Sequence, residues 1–328
     1  MHVELSEVAL LLRRPVMTGR GAITQRDGLL VRLHEGGVTG WGEAMPLPGW
    51  PGADLSATRE ALEEWAADPN PEDLPSEQFA HGAVELALLD MEAQQSGRSQ
   101  AEMLSKGGPV DDAVELNALV ADAEDAVVAV GDGYGTAKLK VGASDIEVDV
   151  DAVAAVREAI GERCHLRLDA NGAWTVDQAL AALSRLEQFD IEYVEEPVVG
   201  IEALTQVAEQ SPIPVAVDDS LSSADAEVPE SIPVVVVKPM VLGGPRTAYA
   251  AACRWIDQGR RVIVTNYLDS AIGQHAALSV AAALPGPPQV HGAITPALFD
   301  CDVADLPTIA VGRCTLPARS PAVADGGR

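Results

Sequence analysis

The chain has 328 residues, 47% of them hydrophobic, and sets 50 acidic residues against 22 basic ones for a formal charge of −28. That is enough apolar material for one large domain, or a large and a small one, while the acidic balance argues against nucleic acid or an anionic membrane as partner. No run approaches the roughly 18 apolar residues of a membrane span, residues 1–30 show no leader core, and four cysteines without CxxC spacing read as reduced thiols of a cytoplasmic protein.

In chain order, VELSEVALLL, GLLVRLHE and VTGWGEAMP read as antiparallel strands, with Gly36-Gly37 turning between the last two. Residues 55–67 and 76–97 read as helices, the second with Ser76 as N-cap and Gly97 at its end. Strands followed by helices predict a small α+β capping domain over 1–105. From residue 113 the pattern changes to alternation. Apolar runs at 113–120, 136–141, 165–170, 191–196, 213–219, 232–239 and 261–266 are mostly separated by helical stretches, and a weak eighth lies near 289–292. A period of that kind is the mark of βα units. The fold class predicted is α/β, a β/α barrel of modified TIM type over 106–310 behind the capping domain. Residues 311–328 form a C-terminal segment, returning toward the capping domain, with SPAVADGGR as a disordered tail.

In such a barrel the chemistry sits at the C-terminal ends of the strands. The second strand carries Lys138 and Lys140, two of only four lysines in the chain. The third carries Arg167 and Asp169, with Asn171 beyond; the fourth ends in Glu195-Glu196, the fifth in Asp218-Asp219 and the sixth in Lys238. A carboxylate at one strand end is ordinarily a turn or capping residue. Three consecutive ones flanked by lysines are a pattern, because alternate strand residues share a face. Convergent carboxylates fit a hard divalent cation, Mg2+ or Mn2+, rather than zinc. A lysine beside them can act as a base in abstracting a proton next to a substrate carboxylate. The expected partner is therefore a small carboxylate substrate.

This layout resembles the enolase superfamily, in the branch of muconate-lactonizing enzyme, through Lys138-Leu139-Lys140, Lys238, and the motifs LDAN, VEEP and VDDS. Asp219 departs from the more usual glutamate at its place. The absence of histidine from VIVTNYLD disfavours the mandelate-racemase type. Within the branch, RDGLLVRLHEGGVTGWGEAMPLPGW, RLDANGAW, YVEEP and HGAITPALFDCDV are similar to the o-succinylbenzoate synthase family, over roughly residues 5–310.

The resemblance implies Asp169, Glu195 and Asp218 as metal ligands and Lys140 as the base. Lys138 would contact a substrate carboxylate oxygen and tune Lys140, and Lys238 would be a fixed charge on the opposite face. It implies dehydration of 2-succinyl-6-hydroxy-2,4-cyclohexadiene-1-carboxylate in menaquinone biosynthesis. Asn171 would orient a ligand or simply turn the chain. Arg167 would balance the acidic cluster or form a structural ion pair. Glu196 would pair with a basic group of the site. Gly243-Gly244 would offer backbone N–H groups to a succinyl carboxylate or make an ordinary turn, and Thr18 and Arg20 would cover the substrate. An N-succinylamino acid racemase or another activity of the superfamily would use the same two lysines. A Schiff-base aldolase built on Lys238 or a non-catalytic barrel would leave the carboxylates unexplained.

Overall fold

The computed structural model describes residues 1–18, 21–50, 52–295, 298–321 and 323. Strands β1 (His2–Thr18), β2 (Gly21–Glu35) and β3 (Val38–Ala44) form an antiparallel sheet in the order β1-β2-β3. The β2–β3 turn needs positive φ at both central residues, and Gly36 and Gly37 supply it at 61° and 83°. Helices α1 (Leu55–Ala67) and α2 (Gln78–Ser96) follow. The N-cap of α2 is Glu77, not Ser76: its carboxylate accepts from the Ala80 N–H, while Gly97 ends the helix at φ 68°.

Helix α2 lies directly on β3. A Cβ at Gly40 would stand 2.0 Å from the Ala87 carbonyl oxygen, and one at Gly42 would stand 1.9 Å from that of Ala83. The GxG of GWGE is thus a packing device that lets helix and strand backbones touch.

After α3 (Gln100–Leu104), the run at 113–120 is two strands rather than one. Strand β4 (Ala113–Leu116) joins a small outer sheet, and β5 (Ala118–Val120) opens the barrel. Asn117 breaks the ladder because β4 pairs with the C-terminal segment as well as with the last barrel strand. Strands β5, β6 (Thr136–Lys140), β7 (His165–Asp169), β8 (Ile191–Glu195), β9 (Val215–Val217), β10 (Val234–Val237) and β11 (Arg261–Val264) make one seven-stranded sheet in sequence order. The predicted eighth strand is β12 (Val290–His291). It meets β11 through a Thr265–Gly292 bridge and pairs in parallel with β4, closing the ring.

Helices α4 (Ala123–Gly131), α5 (Ile146–Ile160), α6 (Val176–Leu186), α7 (Ile201–Ala208), α8 (Pro245–Asp257) and α9 (Ala271–Ala283) follow the strands, except between β9 and β10. Outward strand residues such as Leu166, Leu168, Val194, Val215 and Val235 bury against Val153, Val156, Leu183, Leu204 and Trp255 of the helices. Each fully buried aliphatic side chain contributes about 1.5–3 kcal/mol. Inward residues Tyr193, Ala216, Val234, Val236 and Ile263 fill the interior, so the barrel is a packed core beneath the C-terminal ends of its strands.

The C-terminal segment returns as β13 (Ile309–Ala310) and β14 (Arg313–Thr315), and β14 pairs antiparallel with β4. The start of the expected tail is held in place, contrary to what its composition predicts. The Ser320 hydroxyl donates to buried Asp90, and Val323 packs at the cluster of Leu30, Leu86 and Met240. Residues 322 and 324–328 of that expected tail lie outside the described residues.

Candidate active site

The C-terminal ends of the strands converge on a cavity of about 210 Å³ between barrel and capping domain. Lys138, Lys140, Asp169, Asn171, Glu195, Asp218, Asp219 and Lys238 all line it. They meet there because the strands that carry them end in register: Lys138 stands opposite Arg167, Lys140 opposite Asp169, and Asp169 opposite Glu195.

Lys138 is nearly buried and its Nζ stands 2.6 Å from Glu195 Oε1 and 3.1 Å from Asp169 Oδ2. Burial alone would lower its pKa, but the two carboxylates outweigh that and hold the ammonium charged. Its charge is paired with Asp169 and Glu195. Lys140 is more open, 54% exposed, with Nζ 3.9 Å from Asp169 Oδ2. Four strands round the barrel, Lys238 Nζ lies 2.7 Å from Asp218 Oδ2 and 2.5 Å from Asp219 Oδ1, and 5.8 Å from the centre of the Tyr267 ring. Burial opposes its charge too, and again the paired carboxylates prevail. Asp169, despite burial, is held below the ordinary carboxylate range by Lys138 and Lys140.

Asn171 bonds to a carboxylate of the cavity. Its side-chain amide donates to Asp169 Oδ1 at 2.5 Å, and its backbone adopts φ 47° to do so. Glu196 pairs with no basic group among the described residues. It is buried, sits at φ 44°, and accepts from the Asp218 N–H, the Ser220 N–H and the Ser220 hydroxyl. Burial raises its pKa to about 7. It ties the end of β9, and with it Asp218, to β8.

At two places, position favours the structural alternative. Arg167 is buried below the cavity, where its Nε lies 2.7 Å from Glu192 and its guanidinium 4.9 Å from the Tyr193 ring centre, so its carboxylate partner is Glu192. Gly243 and Gly244 face α2 instead of a ligand. The α8 N-terminus that they open is filled by Glu85, which accepts from the Arg246 and Thr247 N–H groups and the Thr247 hydroxyl. A Cβ on Gly244 would lie 2.4 Å from that carboxylate. The side chain of Thr18, and all of Arg20, lie outside the described residues.

Sequence reasoning missed the wall of the cavity. Trp50 and Leu47 come from the capping domain, while Thr265, Asn266, Tyr267 and Leu268 follow β11 and Ile294, Thr295 and Leu298 follow β12. The signal for the β11 group was its place in VIVTNYLD at a strand end, masked by the lack of a charged residue before Asp269.

As the side chains stand, no three Asp, Glu, His or Cys groups among the described residues form a ready cage, because Lys138 and Lys238 bridge between the carboxylates. The donor set nonetheless suits a hard cation. Four carboxylates face three ammonium groups, neither histidine nor cysteine is among the described residues lining the cavity, and Asp218 Oδ1 is buried with no hydrogen-bond partner among the described residues.

Residues 118–320 match the family model described as enolase C-terminal domain-like, and residues 2–88 match that of the MenC N-terminal domain. The chain belongs to the enolase superfamily, in the branch of mandelate racemase and muconate-lactonizing enzyme. Enzymes of this superfamily bind divalent magnesium and act on small carboxylates. The chain is 34% identical to the o-succinylbenzoate synthase of Thermobifida fusca, over 93% of this chain and 85% of that protein. It is 28% identical to the L-Ala-D/L-Glu epimerase of Bacillus subtilis, over 86% and 84%. Its fold matches the substrate-liganded structure of the Bacillus subtilis L-Ala-D/L-Glu epimerase with a TM-score of 0.85 at 24% identity, covering 98% and 97% of the two chains. The N-succinyl Arg/Lys racemase of Bacillus cereus gives 0.85 at 22% identity, over 98% and 95%. No helix among the described residues is long and apolar enough to cross a membrane.

Proposed function

We propose that the chain is an o-succinylbenzoate synthase, dehydrating 2-succinyl-6-hydroxy-2,4-cyclohexadiene-1-carboxylate. The observation that carries this reading is a MenC-type N-terminal domain joined to a barrel whose cavity sets an open lysine, Lys140, across from a lysine held by two carboxylates, Lys238. Asp169, Glu195 and Asp218 would hold a divalent cation of the magnesium class, which when bound would neutralise charge developing on the substrate carboxylate.

Lys140 takes the proton from the ring carbon that bears the carboxylate. It is the lysine with room to approach a substrate, and its Asp169 contact is the longest of the site's lysine pairs. Electrons left on the substrate as an enediolate then expel the neighbouring hydroxyl. Lys140, now carrying a proton, returns it to the leaving oxygen on the same face, so water departs and the ring becomes aromatic. Lys138 pairs with Asp169 and Glu195 and would yield their oxygens when a cation binds. Lys238 presents a fixed positive charge from the opposite side.

Racemisation of an N-succinylamino acid is the second reading, because Lys140 and Lys238 approach the cavity from two sides, as two-base chemistry needs. The double pairing of Lys238 favours the one-base dehydration. Loss of diene absorbance on mixing enzyme with the cyclohexadiene substrate tests the choice. Chelator-sensitive turnover supports the synthase. No turnover in Mg2+, with α-proton exchange on N-succinylamino acids instead, supports the racemase.

A further inference from the structure

Arg26 of the RDG segment has no part in the chemistry above, yet it is among the largest fully buried side chains of the molecule. Its guanidinium reaches four backbone carbonyls. Two belong to the capping domain: Met45, and Pro46 at 3.3 Å. The other two belong to the loop after β11: Leu268 at 3.2 Å and Tyr267 at 3.4 Å. Asp269 and Glu43 supply the negative charge nearby.

That loop is a wall of the cavity, through Asn266, Tyr267 and Leu268. Its backbone is not at ease: Leu268 sits at φ 53°, a conformation that a branched side chain adopts only when its surroundings impose it. The capping domain also holds the Tyr267 ring, with Trp50 edge-on at 6.1 Å and Phe79 stacked at 6.3 Å. The same ring lies 5.8 Å from Lys238 Nζ. The planar fork of arginine can serve four acceptors in fixed directions, which a lysine ammonium cannot.

We infer that Arg26 is a positioning residue, by which the capping domain imposes the Tyr267–Leu268 wall on the substrate cavity. The barrel alone supplies the lysines and carboxylates; Arg26 supplies the shape against which the substrate rests. For its kinetic consequence the inference rests on the proposed dehydration, but its structural content does not.

The test is Arg26→Lys, with Arg26→Gln beside it in case the buried ammonium prevents folding. Hydrogen exchange is read over residues 265–270 and over β10, and KM and kcat are measured well below the unfolding temperature. We expect exchange at 265–270 to rise at least tenfold while β10 is unchanged, and KM to rise at least fivefold with kcat within twofold. A purely structural Arg26 would lower the melting temperature while leaving loop exchange relative to β10, and KM, at their wild-type values; that result overturns the inference. Should neither variant fold, the wild type decides. Amides of 266–269 exchanging at the same denaturant dependence as β2 and β3 support the inference, and exchange in step with β10 and β11 overturns it. A wild type with no dehydratase activity would sink the proposed function, whereas the exchange result would still judge Arg26.

Discussion

Replacing Lys138 by Met tests how the site is built, independently of turnover. The substitution keeps the aliphatic stem and removes one ammonium. Asp169 and Glu195 then stand in register on adjacent strands, both buried, with the contacts at 3.1 and 2.6 Å gone. Removing one partner of a buried ion pair costs about 3–5 kcal/mol, and a loss of that size takes a large part of the margin of a domain of ordinary stability.

Two features make this loss distinguishable from a simple packing defect. The unfolded carboxylates keep ordinary pKa values, whereas in the folded variant they lose the charge that opposes the upward push of burial on both. The folded state would then bind more protons than the unfolded one, so the penalty should shrink as pH falls toward 5. A cation bound by the freed oxygens would stabilise the folded state by mass action, about 2.7 kcal/mol at one hundred times its Kd. Urea unfolding of wild type and variant, each in EDTA and in Mg2+ at pH 7.5 and 5.5, reads all of this. A variant as stable as wild type in EDTA, or one that Mg2+ fails to rescue, refutes the claim that Lys138 and a cation compete for one set of oxygens.

Lys140→Ala should lower turnover by about 10²–10⁴-fold, the usual share of a general base, and leave the urea midpoint unchanged, since its side chain is half exposed; near-wild-type turnover would remove Lys140 from the mechanism. Glu85→Ala should cost about 1–3 kcal/mol by leaving the Arg246 and Thr247 donors unmet at the start of α8; an unchanged melting curve would show that solvent replaces it without loss. Buried His275 and His291 are pushed down to about 4 and about 3 by burial. The unfolded chain therefore binds their protons first as pH falls below about 6.5, and each removes about 2 kcal/mol of stability between pH 6.5 and 5. His275→Gln should flatten that slope by one proton, as read from unfolding free energy against pH, and an unaltered slope would mean that His275 titrates normally.

The cluster of lysines and carboxylates was legible because it lies on strands. Period-two alternation puts Lys138 with Lys140 and Arg167 with Asp169 on the inward face, and the structure keeps them there. What alternation cannot say is the depth along the barrel: Arg167 shares the face of Asp169 but lies two residues lower, where Glu192 claims it. Gly243-Gly244 read as an open anion site because nothing in a linear sequence shows that Glu85, far upstream, already occupies the helix end. The same long-range reach hid Arg26, whose carbonyl partners are silent in sequence. The split of the run at 113–120 was equally invisible, since it is imposed by pairing with residues 313–315.

The ring is closed by two residues, Val290 and His291, and the strand that they join is itself braced by Arg313–Thr315 from the far end of the chain. During synthesis, β5 soon finds β6, but β4 emerges with both edges unpaired and must wait about 170 residues for β12 and longer for β14. At translation speeds of 5–20 residues per second that is an interval of roughly ten to thirty seconds with an open sheet edge. A ribosome stalled before residue 290 would carry every charged side chain described at the cavity on a barrel that is still unclosed.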